Sequence, residues 1–144
     1  MELIRAKPED IDLYLEIENY FFNSKTYSIF TNRNEIAQEI SGHVMYFIKN
    51  DEVIIGRVSY KFQENGDAYL SDLVIIPSFQ NQGFGKKVLN KILNEIGKKR
   101  ITLIVHPDSK NAVKLYESFG FVIEKRVENY FGDGEPRVVM AKTA

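Results

Sequence analysis

The chain contains 144 residues, and its 44% hydrophobic and 27% charged content is ordinary for one globular domain covering residues 1–144. Its 19 basic and 20 acidic residues give a net charge of −1, which argues against a nucleic-acid partner. No apolar run approaches the roughly 18 residues of a membrane span, and the N-terminus lacks the layout of a signal peptide. The absence of cysteine excludes disulfides and thiolate metal sites, so we expect a cytoplasmic protein with no metal and no membrane partner.

Apolar periodicity and turn residues divide the chain into alternating strands and helices. In chain order, the predicted elements are a strand at 3–6, helices at 8–20 and 35–41, strands at 44–49, 53–62 and 69–76, a helix ending at 96, a strand at 101–105, a helix that Asp108 or Ser109 caps and Gly120 ends, and strands at 121–130 and 137–142. Pro8 suits the start of the first helix, and Gly97 suits the end of the longest one.

Short turns join the strands at 44–49, 53–62 and 69–76, which predicts an antiparallel meander. The strand at 101–105 follows a helix, so we expect it to lie parallel to 69–76 after a right-handed crossover. The last two strands form a hairpin. The fold class is therefore mixed α/β, with a mostly antiparallel central sheet flanked by helices.

The segment at 21–34 is aromatic and irregular. Its aromatic side chains, among them Tyr27 and Phe30, either form the wall of a substrate site or pack beneath the sheet. Both interpretations stay open.

A glycine-containing turn at 80–86 joins an apolar strand to the longest helix. Glycine allows backbone N–H groups to approach an anion, and the first turn of a helix favours negative charge. A strand-to-helix turn also uses glycine for conformational reasons alone. The turn by itself therefore predicts either a phosphate site or a structural connection.

Two motifs resolve this ambiguity. Gln80-x-x-Gly83-x-Gly85 and Ala112-x-x-Leu115-Tyr116-Glu117-x-x-Gly120-Phe121 occur in this order. Together they resemble the pyrophosphate signature and the last-helix segment of the GCN5-related N-acetyltransferase (GNAT) family, over essentially the whole chain.

The resemblance implies that acetyl-CoA is the co-substrate and that the sheet splays apart at its site. The family positions matching Leu73, Val74 and Ile75 hold the pantetheine arm and acetyl carbonyl through backbone groups. The pyrophosphate would lie on the amides of Asn81, Gln82, Gly83, Phe84, Gly85 and Lys86. Ser109 matches an asparagine of the family, and we assign it and the neighbouring Asn111 to cofactor binding.

The implied reaction is direct attack of an amine on a thioester in a ternary complex, and Tyr116 matches the family tyrosine that faces the CoA sulfur. A tyrosine has a pKa near 10 and a thiol near 8.5, so full proton transfer to the thiolate is uphill by roughly 2 kcal/mol. We therefore expect Tyr116 to donate a hydrogen bond that strengthens as the thiolate forms.

The general base is harder to assign. Family members that acetylate a ribosomal-protein N-terminus carry a glutamate at the position of Ile104, which departs from that pattern. Tyr69, which matches a tyrosine of some N-terminal acetyltransferases, and His106, at a strand end, are the candidates. Asp72 and Glu117 are less favoured, because acidic residues at such positions are usually solvated or structural.

The acceptor amine is also open. A peptide α-amine has a pKa near 7.7–8 and needs little help to lose its proton, whereas a lysine amine near 10.4 requires about 4 kcal/mol at pH 7.5. The lack of a carboxylate at Ile104 therefore favours an α-amine. Tyr130, in a segment similar to one that walls off the peptide in N-terminal acetyltransferases, is a further substrate-binding candidate.

Two alternatives remain beside a peptide acceptor. A small cationic amine, such as a polyamine, an aminoglycoside or an amino acid, would suit an acidic pocket formed by Glu16, Glu18 and Glu35. A non-catalytic acyl-CoA-binding module would keep the glycines without turnover. A homodimer is compatible with the sequence, which gives no physical basis for any oligomeric state.

Overall fold

The structure, a computed structural model, describes residues 1–27 and 29–144. Its sheet contains the strands β1 (Glu2–Arg5), β2 (Val44–Asn50), β3 (Val53–Phe62), β4 (Ala68–Ile75), β5 (Ile101–Val105), β6 (Val122–Val127) and β7 (Arg137–Lys142). The α-helices within these ranges are α1 (Ile11–Asn19), α2 (Arg33–Gly42), α3 (Phe84–Ile96) and α4 (Lys110–Ser118), and Pro77–Phe79 forms a 3₁₀ turn. No helix of the described ranges is long and apolar enough to cross a membrane.

The strands form one sheet in the order β1-β2-β3-β4-β5-β7-β6. β4 and β5 are parallel and are connected through α3, and the other neighbouring pairs are antiparallel. The predicted mixed α/β class, the meander and the parallel neighbour are confirmed. β7 returns between β5 and β6, so the final hairpin joins the sheet through its second strand.

α3 is held on the sheet by one apolar face. Val88, Leu89, Ile92 and Ile96 recur at helical spacing and are buried in the main core. A fully buried aliphatic side chain of this size contributes roughly 1.5–3 kcal/mol, so this face alone fixes the helix. Gly97, with a φ of 82°, ends the helix as predicted, and its N–H donates to the Leu93 carbonyl.

β4 and β5 separate after a short paired stretch. Their register covers Ala68↔Ile101, Tyr69↔Thr102 and Leu70↔Leu103. Beyond Leu70, β4 stays paired with β3, and β5 stays paired with β7. The splay that the family resemblance implied is therefore present.

β4 also carries an irregularity just where it leaves β5. Its register with β3 changes from Tyr60↔Leu70 to Ser59↔Asp72, which leaves Ser71 as an extra residue in β4. Such a bulge breaks the simple alternation of side chains between the two faces of a strand. The Ser59 and Ser71 hydroxyls lie 2.9 Å apart across it.

Two helix boundaries differ from the prediction. α1 begins at Ile11 rather than Pro8, because the preceding residues form a turn in which the Lys7 N–H donates to the Asp10 carboxylate at 2.9 Å. α2 begins at Arg33 rather than Glu35, because the Asn32 side chain accepts a hydrogen bond from the Glu35 N–H and caps the helix.

Two further local predictions are corrected in part. Ser109 is the N-cap residue of α4, as predicted, but its side chain makes no capping hydrogen bond. β6 ends at Val127 rather than residue 130, because the chain turns at Asn129, which has a φ of 51°. The Asn129 side chain accepts from the Gly134 N–H at 2.6 Å and closes this turn.

Candidate active site

A cleft of about 1310 Å³ opens where β4 and β5 separate. Its walls come from these strands, the turn before α3, α4 and the aromatic segment between α1 and α2. The predicted site residues that line it are Tyr27, Phe30, Tyr69, Leu73, Val74, Ile75, Asn81, Gly83, Gly85, Lys86, His106, Ser109, Asn111 and Tyr116. Most of the candidates, scattered along the sequence, are therefore brought to one place.

The glycine turn presents backbone amides to one end of the cleft. Asn81 and Gly83 have φ values of 61° and 85°, so the chain folds back on itself immediately before α3. The Gln80 side-chain amide donates to the Ile75 carbonyl at 2.8 Å and ties the turn to β4. Gly83 is the N-cap and offers no side chain, so the first amides of α3 have no side-chain cap.

The N-terminus of α4 closes the same end. The Asn111 side-chain amide donates to the Asn81 side-chain oxygen at 3.2 Å. A Cβ atom on Gly85 would lie 3.3 Å from the Leu115 side chain, so glycine permits the close approach of α3 and α4. Lys86 and Lys110 add positive charge to this part of the cleft. The arrangement suits a di-anionic group such as a pyrophosphate.

Tyr116 lies on α4 and faces the cleft from a buried position. It is 7% exposed and contacts the Phe121 ring edge-on at a centroid distance of 5.7 Å. Burial raises the pKa of Tyr116 well above its ordinary value, and the nearby Asp72 carboxylate adds to the shift. The phenol therefore keeps its proton and can act as a hydrogen-bond donor.

The pKa of Tyr69 and the hydrogen bonds of His106 argue against these two residues as proton acceptors. Burial raises the pKa of Tyr69 to about 12, so its phenol is protonated at neutral pH. The His106 Nδ1 atom accepts a hydrogen bond from the Asp108 N–H at 3.0 Å. Its Nε2 atom lies 2.7 Å from the Glu135 carboxylate and therefore carries the proton that it donates. Both histidine nitrogens are already engaged.

A buried ion cluster underlies the opposite end of the cleft. Arg57, fully buried on β3, donates from Nε to the Asp72 carboxylate and from Nη2 to the Glu18 carboxylate, each at 2.5 Å. It also donates to the Tyr27 hydroxyl, and its guanidinium lies 3.8 Å from the centre of the Tyr14 ring. We call Tyr14, Glu18, Tyr27, Arg57 and Asp72 the ion cluster.

Ionisation within the ion cluster is uneven. Burial alone would lower the pKa of Arg57, but Asp72 and Glu18 hold it well above its ordinary value, so the guanidinium stays charged. Burial raises the pKa of Asp72 to about 6, because the loss of solvation and the Glu18 charge outweigh the attraction of Arg57. Asp72 therefore titrates close to neutral pH.

Three comparisons with known proteins bear on this architecture. The model of the acetyltransferase (GNAT) family matches residues 11–121, which is most of the chain. The chain belongs to the GNAT acetyltransferase family. The two motifs that carried the resemblance lie within the matched region.

Relatives of this GNAT chain include an enzyme named for N-acetylation of a ribosomal protein and a subunit of an N-terminal acetyltransferase. The [ribosomal protein bS18]-alanine N-acetyltransferase of Haemophilus ducreyi is 34% identical over 82 residues, which covers 52% of the chain and 57% of that enzyme. The NAA20 catalytic subunit of the N-terminal acetyltransferase B complex of Arabidopsis thaliana is 24% identical, over 98% of the chain and 79% of the subunit. The chain thus spans little more than half the length of the first relative.

A solved structure supports the fold assignment. Naa50 of Arabidopsis thaliana, crystallised with the bisubstrate analogue CoA-Ac-MVNAL, superimposes with a TM-score of 0.77. The alignment covers 99% of this chain and 98% of Naa50 at 18% identity. At this identity, the likeness concerns the GNAT fold alone.

Some predicted residues lie away from the cleft of this GNAT domain. The Gln82 side chain donates to the Ser78 carbonyl at 3.1 Å, and the Phe84 ring packs against Phe79. Neither lines the cleft, although the predicted role concerned their backbone amides. Tyr130 packs edge-on against Phe131 at 4.8 Å, and it is Phe131 that reaches the cleft.

The aromatic segment between α1 and α2 satisfies both interpretations given by the sequence. Tyr27 lines the cleft and also donates from its hydroxyl to Glu18 at 2.8 Å. Phe30 is 40% exposed and lines the cleft, while its backbone N–H donates to the other Glu18 oxygen at 2.8 Å. Glu18 thus organises the segment rather than opening an acidic pocket.

The ion cluster is the feature that sequence reasoning missed. Arg57 lies in the apolar strand 53–62, and a charged residue in a buried strand requires a buried partner. That signal was available, but it does not say where the partner lies in the chain. Within residues 1–27 and 29–144, no group of three or more His, Asp or Glu side chains is arranged to hold a metal ion.

Proposed function

We propose that the chain is an acetyl-CoA-dependent N-acetyltransferase that acetylates a primary amine, and that the N-terminal α-amine of a protein or peptide is its acceptor. The observation that carries this proposal is the cleft between β4 and β5. The N-terminus of α3, which has no side-chain cap, lies at one end of this cleft, and the protonated Tyr116 lines it. The family membership and the names of the relatives support the same activity.

The residues at the glycine turn fit the pyrophosphate of CoA. The α3 amides carry no side-chain cap, and Lys86 and Lys110 offset negative charge. A Cβ atom on Gly85 would lie 3.3 Å from the Leu115 side chain, a tight contact that glycine avoids beside the amides that the phosphates would contact. Amides and dipole together favour an anion here.

The β4 residues beyond Leu70 would orient the thioester arm. There β4 has lost β5 as a neighbour, so backbone groups on that side are available to a ligand, apart from the Ile75 carbonyl, which accepts from the Gln80 side chain. When bound, acetyl-CoA supplies an electrophilic thioester carbonyl. A backbone N–H near Ile75 would stabilise the negative charge that develops on its oxygen, and fixed positioning supplies much of the remaining rate.

Tyr116 would assist the leaving sulfur. Because burial keeps the phenol protonated, it can donate a hydrogen bond throughout the reaction. The donation strengthens as thiolate charge develops, and the proton follows late. This role requires the hydroxyl and not the ring.

A peptide α-amine suits the opposite end of the cleft. Tyr27, Phe30 and Phe131 give that end an aromatic wall, which would pack on an extended peptide. An α-amine also gives up its proton more easily than a lysine amine, by roughly 2.5 pKa units. Both arguments favour a chain terminus over an internal lysine.

The test is an assay of thiol release from acetyl-CoA with paired acceptors. Peptides with free N-termini are compared with the same peptides blocked at the N-terminus and carrying a lysine, with product identified by mass spectrometry. Because the chain has no cysteine, a thiol reagent reports the released CoA without background from the protein. We expect turnover with free α-amines and none with the blocked peptides.

A small cationic amine is the second candidate acceptor. It is favoured by the three carboxylates, Glu39, Asp72 and Asp108, that line the cleft. Turnover restricted to polyamines, aminoglycosides or amino acids would support it and contradict the peptide assignment. Binding of acetyl-CoA without turnover on any amine would instead indicate a non-catalytic module.

A further inference from the structure

Asp72 is the carboxylate through which the ion cluster reaches the cleft. Its side chain is 14% exposed, whereas the Glu18 side chain is 1% exposed. The bulge at Ser71 places the side chains of Tyr69 and Asp72 on the same face of β4, although they are three residues apart, and both line the cleft. In a regular strand without a bulge, these two side chains would lie on opposite faces of the sheet.

The carboxylate of Asp72 is held rigidly on one side only. Its Oδ2 atom accepts from Arg57 Nε at 2.5 Å. No hydrogen bond to Oδ1 occurs within residues 1–27 and 29–144, and Oδ1 is not sealed from solvent. One oxygen is therefore positioned and the other is available to a ligand in the cleft.

The ion cluster carries one more negative charge than positive charge when both carboxylates are ionised, so it attracts a cation. Glu18 and Asp72 provide two negative charges against the single positive charge of Arg57, and both Arg57 and Glu18 are buried. Arg57 Nη1 is buried and has no hydrogen-bond partner in the described part of the chain, so its bonding capacity is not fully used. One further proton or one ammonium group would neutralise the cluster.

We propose that Asp72 is the general base of the acetyl transfer, receiving the acceptor amine as an ammonium ion and taking its proton, with Arg57 and Glu18 as positioning residues. The inference rests on the proposed N-acetyltransferase function. Arg57 aims the carboxylate, and Glu18 and Tyr27 fix Arg57.

The proton balance follows from these assignments. The ammonium nitrogen loses one proton to Asp72, which later releases it to solvent. The nitrogen then forms a bond to the thioester carbonyl carbon, and the carbon–sulfur bond breaks with its electron pair on sulfur. The second proton lost by the nitrogen replaces the one that Tyr116 donates to the thiolate.

The acidity of Asp72 suits this role. Its pKa of about 6 lies roughly two units below that of an α-amine and more than four units below that of a lysine, so transfer from an α-amine is the easier step. The charged and titratable groups that face or influence it are Arg57 on β3, Glu18 and Tyr14 on α1, Glu39 on α2, Tyr27, Tyr69 on β4 and Tyr116 on α4.

The decisive experiment is the pH profile of kcat/KM for Asp72→Asn. In the wild type, we expect the acid limb to inflect near pH 6. In the variant, the limb should move to the pKa of the acceptor, near 8, because only an already neutral amine can react. The rate should fall roughly 10²–10³-fold at pH 7, and the deficit should shrink at about pH 9.5. An unchanged acid limb, or a deficit equal at all pH values, would overturn the proposal.

Further variants separate a base from a structural carboxylate. Asp72→Glu keeps the carboxylate and should keep the acid limb at a reduced kcat. Glu39→Gln and Asp108→Asn each remove one of the other two cleft carboxylates and should also keep it. Loss of the limb in either variant would assign the base there instead. Glu16→Gln, an exposed carboxylate of α1 outside the cleft, is the matched control and should behave as the wild type.

A readout independent of turnover uses the wild-type protein with ¹³C-labelled aspartate carboxyls. The resonance absent from Asp72→Asn spectra should titrate at the pH of the kinetic acid limb, and a clearly different midpoint would contradict the assignment. If Asp72→Asn does not fold, Asp72→Glu spectra identify the resonance. Inactivity of the wild type on every amine would refute the proposed function. If the wild type is active but the acid limb does not shift in Asp72→Asn, only the assignment of Asp72 as the base is refuted.

Discussion

The glycine-turn end of the cleft (Asn81, Gly83, Gly85 and Lys86) presents backbone amides, whereas the other end presents the buried side chains of the ion cluster. At the first end, shape comes from φ angles and from the absence of side chains. At the second end, it comes from one arginine held by four side chains of α1, β4 and the segment between α1 and α2. The first end depends on local geometry and the second on long-range contacts, and this determines how each responds to mutation.

The largest effect is expected from Gly85→Val at the glycine-turn end. A branched side chain would meet Leu115, whose side chain lies 3.3 Å from a Cβ at this position, and would displace the phosphates from the amides. Loss of two charge-assisted hydrogen bonds, each about 1.5–3 kcal/mol, predicts a Kd for CoA roughly 10²–10⁴-fold higher. Calorimetry measures this. Gly42→Ala, where a Cβ would have nothing within 4 Å, should bind normally, and normal binding by Gly85→Val would refute the assigned cradle.

The ion cluster is expected to make stability depend on pH. Because the folded protein raises the pKa of Asp72 to about 6, it binds more protons than the unfolded chain between about pH 4 and 6. The contribution of Asp72 is therefore fully present below this window and is lost as the pH rises through it, by about 2–3 kcal/mol in total. Urea unfolding of the wild type and Asp72→Asn across the window gives the difference, and parallel curves would contradict it.

Tyr116→Phe, at a position between the two ends of the cleft, should have an effect of intermediate size on catalysis. Removing the hydroxyl withdraws the hydrogen bond to the developing thiolate, so kcat should fall roughly 10–100-fold with the KM for acetyl-CoA little changed. Steady-state kinetics with varied acetyl-CoA measure both parameters. Tyr46→Phe, whose hydroxyl contacts Glu95 outside the cleft, is the control. Unaltered turnover in Tyr116→Phe would remove its role.

The smallest effect is expected from Tyr27→Phe. The variant loses the hydroxyl that joins Glu18 and Arg57, but these two remain bonded to each other. The hydroxyl makes two hydrogen bonds, but its two partners keep each other, so the net loss should stay near that of one typical buried hydrogen bond, and the free energy of unfolding should fall by about 1 kcal/mol. Thermal unfolding measures this loss. The control is Tyr20→Phe, which should leave the stability unchanged because Tyr20 is 58% exposed. A loss several times larger would mean that Tyr27 holds the whole cluster together.

The glycine-turn end could be predicted from sequence because its geometry is local. Gly83 and Gly85, placed between an apolar strand and a helical pattern, specify a backbone conformation within a few residues. The meander and the parallel neighbour of β4 followed from the same kind of local pattern, and the role of Tyr116 followed from the family resemblance, whereas the place of β7 between β5 and β6 was not predicted.

The ion cluster could not be predicted in the same way. The contact between Glu18 and Arg57 joins residues 39 positions apart, and no periodicity relates them. The bulge at Ser71 reverses the face that alternation assigns to Asp72. His106 illustrates a further limit, because its backbone and carboxylate partners are visible only in the folded chain.

The divergence of β4 and β5 has a mechanical consequence for the whole molecule. The strands β1–β4 and β5–β7 form two smaller sheets that are joined edge to edge over a short stretch and otherwise lean apart. A ligand lying in the gap would form hydrogen bonds with the facing edges of β4 and β5 and so join the two smaller sheets, as a further strand would. Such a ligand at 100 times its Kd would add about 2.7 kcal/mol to the folded state, so co-substrate supply and resistance to unfolding would rise and fall together.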